Sequence, residues 1–168
     1  MKTKHVLMLT LITMGLILGG PLFAQDWRDI PLRDVVGGET FRISDFEGHP
    51  ILLESFAVWC PTCTKQQKEI RKLHQDIGND VISISLDVDP NEAEDLVRDH
   101  ASRNGFDWLY AIAPPELTQA LIEEFGHKIV AAPLSPIVLI CEDQRARLLK
   151  RGVKKAEVLY EEIRRGCS

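Results

Sequence analysis

The 168-residue sequence contains no internal repeat and no low-complexity stretch. A solenoid, a collagen-like array or a biased linker is therefore excluded as its main content. It also has no basic patch: Lys and Arg are scattered between Asp and Glu. The one cluster, Lys150-Arg151 with Lys154-Lys155, reads as the solvated start of a terminal helix. Nothing in that pattern calls for nucleic acid. None of the five histidines belongs to a paired ligand motif, and the one close-spaced cysteine pair has no second pair to match it. A four-ligand zinc site would lack half its donors.

What is present divides the chain in two. Lys2, Lys4 and His5 precede an apolar run from Val6 to Leu18, Gly19-Gly20-Pro21 break it, and Leu22-Phe23-Ala24 follow. Residues 1–24 read as a signal peptide with cleavage after Ala24, the alternative being an uncleaved anchor, since the run is nearly long enough to span a bilayer. No cysteine lies near the boundary to carry a lipid. Removing the segment takes away Lys2 and Lys4 and no acid, so the net charge moves from −5 to −7. All four cysteines fall in the remainder, residues 25–168, which is about the size of one ordinary domain. An exported chain with an even cysteine count points to disulfide chemistry, structural or catalytic.

Along that remainder, Asp34 to Phe41 reads as two short strands around a Gly37-Gly38 hairpin turn. Ile51 to Val58 is nearly continuous in apolar residues, as suits a strand buried on both faces, with Glu54 as the exception. After Pro61 the period becomes helical, with Ile70, Leu73 and Ile77 on one face and a stop at Gly78-Asn79. Val81 to Leu86 is the next strand. Asp89-Pro90-Asn91-Glu92 then suggests a helix start with Asp89 as N-cap. An extended piece from Phe106 to Ile112 leads through Pro114-Pro115 to a helix that Gly126 ends. Strands Ile137 to Cys141 and Ala146 to Lys150 follow, then a terminal helix. The order implies an α/β fold with a central mixed sheet flanked by helices.

The reactive candidates sit where the first buried strand gives way to its helix. Cysteines at i and i+3 opening a helix can close a small disulfide ring, and only one of them need be exposed for exchange. Unpaired N–H groups and the helix macrodipole favour a thiolate at Cys60, which should attack first, with Cys63 one turn inward to resolve the mixed disulfide. Pro61 at the first helical position loses no needed hydrogen bond. A plain stabilising disulfide and half of a zinc site remain as bland alternatives.

The run Phe56-Ala57-Val58-Trp59-Cys60-Pro61-Thr62-Cys63, with Ile43-Ser44-Asp45-Phe46-Glu47-Gly48 before it and a proline ahead of a late strand, resembles the thioredoxin superfamily. The resemblance is to its exported TlpA-like branch, which includes the thioredoxins of cytochrome c maturation, and it runs from about Ile30 to Gly166. It implies a thioredoxin-like fold with an N-terminal β-hairpin and an inserted helical segment. It further implies a periplasmic or other extracytoplasmic thiol:disulfide oxidoreductase, acting on protein substrates with a redox partner protein, without an organic cofactor, and as a reductant rather than an oxidant. Trp59, Pro61, Thr62, Ser135 and Pro136 are expected on the substrate side, with Pro136 as the family's cis-proline. Pro133 is a second candidate, because the linker His127 to Ser135 is longer than the family's usual connection; a proline that simply starts a strand is the plain reading of Pro136. Thioredoxins often hold a carboxylate at the position of Glu54, as proton acceptor for the inner thiol, although the same residue on a sheet edge or paired with a base would do nothing. In this fold Cys141 and Cys167 fall at the end far from the reactive pair, as a structural disulfide or as two free thiols. A copper-delivery module using Cys60, Cys63 and His127 is the alternative from another functional class.

Overall fold

A computed structural model describes residues 26–167, and the signal segment expected at residues 1–24 lies outside that range. Leu32–Arg33 (β1) and Thr40–Phe41 (β2) pair antiparallel, with Leu32 opposite Phe41. The tight Gly-Gly hairpin expected between them is a wider connection over 34–39. Its organiser is Asp34, whose carboxylate accepts the N–H groups of Val36 at 3.1 Å, Gly37 at 2.7 Å and, across the fold, Tyr110 at 3.2 Å. A side chain on Gly37 would place its Cβ 2.6 Å from an Asp34 oxygen, so any other residue there would displace the carboxylate that organises the turn.

The main sheet holds Ile51–Phe56 (β3), Ile82–Asp87 (β4), Leu109–Ile112 (β5), Ile137–Ile140 (β6) and Ala146–Leu148 (β7), in the order β5-β4-β3-β6-β7. β3, β4 and β5 run parallel, and β6 and β7 antiparallel to their neighbours. β3 is therefore central, and all of its residues are buried. Its alternation decides which side each residue faces. Ile51 and Leu53 join a cluster containing Trp27, Leu117, Leu121 and Val138, under Pro115–Phe125 (α3) and the N-terminal segment. Leu52 and Phe56 join the other cluster, with Cys60, Cys63, Ile70, Val97 and Leu159, under Pro61–Ile77 (α1), Glu94–Asn104 (α2) and Ala156–Arg165 (α4). Glu54 lies between Leu52 and Phe56 in the two-residue period and so faces the layer that holds the cysteines.

α2 begins later than the sequence pattern suggests. Its N-cap is Ala93, with no side-chain cap. The expected capping residues are engaged elsewhere: Asp89 accepts from the Trp59 indole N–H at 2.7 Å and from the Asn91 backbone, and Glu92 accepts the Val58 N–H at 2.7 Å. Two would-be capping acids thus hold the loop ahead of the cysteines. Within α2, Val97, His100 and Ala101 are buried and Leu96 is exposed. Among the described residues no helix is long and apolar enough to cross a membrane.

Candidate active site

β3 delivers the chain to a turn in which the Cys60 N–H donates to the Ala57 carbonyl at 3.0 Å, and α1 starts at Pro61. Cys60 is the helix N-cap, and its sulfur accepts the Cys63 N–H at 3.1 Å. That hydrogen bond, with the open end of the helix, stabilises negative charge on the Cys60 sulfur more than on Cys63. The two cysteines are joined in a disulfide with Cα atoms 5.3 Å apart.

Neither cysteine is exposed, both having 0 % of their surface open. Cys63 is covered by the long linker before β6, which forms two short 3₁₀ turns, His127–Val130 and Ala132–Leu134. The second turn packs on α1 and β3, and the Ala132 carbonyl oxygen lies 3.1 Å from the Cys63 sulfur, where a reduced thiol would donate to it. Beside the covered pair a pocket of about 260 Å³ opens between Ala57, Trp59, Val88–Pro90 and Val130–Pro133. Trp59 is 59 % exposed on its rim, Pro61 is exposed and Thr62 half-buried. A larger pocket of about 410 Å³, lined by His74, Ser83 and Trp108, lies at the opposite end of the parallel strands and does not reach the cysteines.

Pro136 is not a cis-proline: among the described residues there is no cis peptide bond. The chain reversal is carried by Ser135, which takes the left-handed conformation (φ 45°, ψ 58°). Pro136 opens the path into β6, its carbonyl accepting the Ser55 N–H at 3.1 Å. Ser135 and Pro136 are buried, and of the two candidate prolines the one open to solvent is Pro133. The backbone carbonyl next to Cys63 is accordingly that of the residue before Pro133.

Glu54 is wholly buried and paired in register with Ser85 of β4 and Ile137 of β6. Ser85 Oγ donates to its Oε2 at 3.1 Å, while Oε1 has no partner. Burial pushes its carboxyl up to about 8, against the lesser pull of the Gln67 amide, the Ser85 hydroxyl and the Lys154 ammonium. The Gln67 Nε2 forms no hydrogen bond of its own, so its part is that of a nearby dipole. Gln67 Oε1 instead meets His100 Nε2 at 2.7 Å, and His100 stacks on Phe56 at 5.7 Å; burial holds that imidazole below its ordinary range. On the other side of the loop, burial with Glu92 and Asp89 nearby raises the Asp87 carboxyl well above its usual range.

Several of these residues were not singled out from the sequence. Gln66 and Gln67 lie three and four residues after Cys63, the spacing of one helix face, and Ile70 continues it; that spacing was the available signal. Lys154, read with the solvated cluster, is buried, its ammonium donating to the carbonyls of Ser135 at 3.1 Å and Gly152 at 2.6 Å. Only its closeness to Gly152 in the chain hinted at a turn, and nothing hinted at burial. His127 is exposed, and among the described residues no group of three or more His, Cys, Asp or Glu side chains is arranged to hold a metal, so the set Cys60, Cys63 and His127 is not assembled. At the far end of β6, Cys141 and Cys167 are joined, with Cα atoms 6.0 Å apart.

The Redoxin family matches residues 25–162, which takes in the hairpin, the whole main sheet and both cysteines of the covered pair. The chain belongs to the Redoxin family. Its fold is that of several solved redox proteins. A secreted Mycobacterium tuberculosis disulfide oxidoreductase, described as homologous to E. coli DsbE, superposes with a TM-score of 0.66 at 11 % identity, covering 84 % of this chain and 99 % of that one. A thioredoxin family thiol:disulfide interchange protein from Chlorobium tepidum gives 0.66 at 16 % identity, covering 82 % and 92 %. The exposed lipoprotein thioredoxin Etrx1 of Streptococcus pneumoniae gives 0.62 at 17 % identity, covering 81 % and 98 %. A search of curated proteins finds no match. This redoxin is an oxidoreductase of thioredoxin fold, and the disulfide at the start of α1 joins Cys60 to Cys63.

Proposed function

We propose that this redoxin, residues 25–168 after loss of its signal segment, works outside the cytoplasm as a reductant of protein disulfides, drawing electrons from a redox partner protein. The observation that carries the reading is the asymmetry of the pair: Cys60 caps α1 and accepts the Cys63 N–H, while Cys63 lies inward against the Ala132 carbonyl. In the reduced protein the Cys60 thiolate attacks one sulfur of a substrate disulfide. A Cys60–substrate bond forms, and the other substrate sulfur leaves as a thiolate and takes a proton. Cys63 then gives its proton to the Glu54 carboxylate, directly or through one water, and attacks the Cys60 sulfur. The second substrate thiolate leaves and collects that proton. Two electrons have passed to the substrate, and Cys60–Cys63 is oxidised.

Glu54 suits the transfer because its free Oε1 and a carboxyl near 8 let it hold or release a proton at working pH. Trp59, Pro61, Thr62 and Pro133 form the face a substrate segment meets, and Ser135 with Pro136 shapes it from beneath. Direction is tested by equilibrating the protein with glutathione buffers and counting Cys60–Cys63 thiols. A reductant has a potential well below about −200 mV, and a value near −120 mV, that of a strong oxidant, would reverse the assignment.

A further inference from the structure

A disulfide is opened by a thiolate that approaches one sulfur along the S–S axis, so a bond with no exposed surface cannot react until something moves. Here that bond is covered, and the 127–135 linker lies against its Cys63 side. Within 127–135, Ile129, Ala132 and Ser135 are buried, while Val130, Ala131 and Leu134 are half-buried and His127, Lys128 and Pro133 are exposed. Ala132 meets Cys63 through its carbonyl, and the same oxygen accepts the Ser135 N–H at 2.8 Å. Ser135 holds a left-handed backbone without being glycine, and its buried hydroxyl has no partner. Both features cost free energy in the closed arrangement.

One side chain offsets that cost. The Lys154 ammonium reaches the Ser135 carbonyl at 3.1 Å, and also takes the Gly152 carbonyl, whose own residue donates its N–H to Leu134 at 2.9 Å. Lys154 is itself fixed to the cysteine helix: Gln66 of α1 donates to its carbonyl at 3.0 Å and accepts its N–H at 2.7 Å. The connection therefore runs from α1 through Gln66, Lys154, Ser135 and Ala132 back to Cys63. Burying that ammonium costs desolvation, which the two carbonyls and the nearby Glu54 and Glu162 carboxyls offset in part.

We infer that Lys154 is a positioning residue that latches the 132–135 turn over the Cys60–Cys63 bond, so that exchange waits on local opening of that turn. The inference deepens the exchange reading above, yet its test asks only how easily a reagent reaches the bond. Oxidised protein is treated with dithiothreitol, whose thiolate displaces one cysteine sulfur and whose second thiol then closes its own ring, passing two electrons to the protein. Thiols formed at Cys60–Cys63 and at Cys141–Cys167 are followed separately by alkylation and mass spectrometry. Lys154→Met keeps the stem and removes the charged donor, and should speed reduction of Cys60–Cys63 about tenfold, the effect of losing charge-assisted hydrogen bonds. Cys141–Cys167 should be reduced at its wild-type rate, and Lys154→Arg should restore slow reduction of the covered bond. An unchanged Cys60–Cys63 rate, or an equal rise at both disulfides as the whole fold loosens, overturns the inference. If Lys154→Met does not fold, the wild-type protein decides: reduction of Cys60–Cys63 that is nearly independent of urea reports local opening, and a dependence as steep as global unfolding contradicts it.

Discussion

Glu54→Gln is expected to raise stability at pH 7 by on the order of 3 kcal/mol and to leave it unchanged at pH 4. In the unfolded chain this glutamate ionises near its ordinary 4.5, whereas burial moves its titration in the fold up to about 8, so that at pH 7 most of it is protonated and a minority is the carboxylate that can accept a proton. The folded pKa is raised, so the stabilising contribution of the bound proton is complete below 4.5. It is lost as pH climbs toward and through 8, because the unfolded state then binds fewer protons. Glutamine keeps the shape, can still accept from Ser85, and does not titrate. The Asp87 carboxyl, also raised by burial, adds a similar slope to both proteins, so the difference between them isolates Glu54. Urea midpoints of the oxidised proteins from pH 4 to 8 measure it, and parallel curves would show that Glu54 ionises freely in the fold. The same variant should slow resolution of the mixed disulfide about a hundredfold near pH 7, with the gap closing by pH 9 as the thiol ionises unaided. Exchange rates unchanged from about pH 6 to 9 would remove Glu54 from the proton path.

Replacing Cys141 and Cys167 together with alanine is expected to cost about 3–4 kcal/mol while leaving exchange at the Cys60–Cys63 pair intact. The bond closes a loop with sequence separation 26 and ties the end of α4 to the end of β6. In the chain-entropy account its effect lies mainly in restricting the unfolded state. Both cysteines are changed so that no spare thiol can exchange with Cys60. The bond lies at the end of β6 away from the covered pair, which is why stability and exchange should separate. A denaturation midpoint equal to that of the wild type would mean that the loop is already restricted when unfolded.

The parts of this fold legible in the sequence are those whose periodicity or punctuation has a single reading. The apolar run into Trp59-Cys60-Pro61-Thr62-Cys63, the helix stopped by Gly78 and the helix between Pro115 and Gly126 are of that kind. The facing of Glu54 was not legible, because a strand that is apolar on both sides shows no alternation; only pairing with β4 and β6 decides it. Asp89 and Glu92 have the spacing of a helix cap, and long-range partners, Trp59 and the Val58 N–H, took both side chains instead. Pro136 matches the cis-proline of the resembling family by its place before β6, but the reversal is made by Ser135, which no local pattern marks. Lys154 was hidden for the opposite reason: among four basic residues, solvation is the default, and its burial depends on carbonyls supplied by a distant turn.

If Cys60 attacks and Cys63 resolves, the mixed disulfide can be trapped by removing one sulfur at a time. Cys63→Ser and Cys60→Ser proteins, each reduced at the remaining cysteine of the pair, are mixed with a peptide disulfide and analysed by intact and peptide mass spectrometry. One persistent peptide adduct is expected on Cys60 in the Cys63→Ser protein, and a far slower reaction at Cys63 in the Cys60→Ser protein, whose remaining sulfur lies inward against Ala132. Equal rates at the two cysteines, or faster reaction at Cys63, would contradict that order.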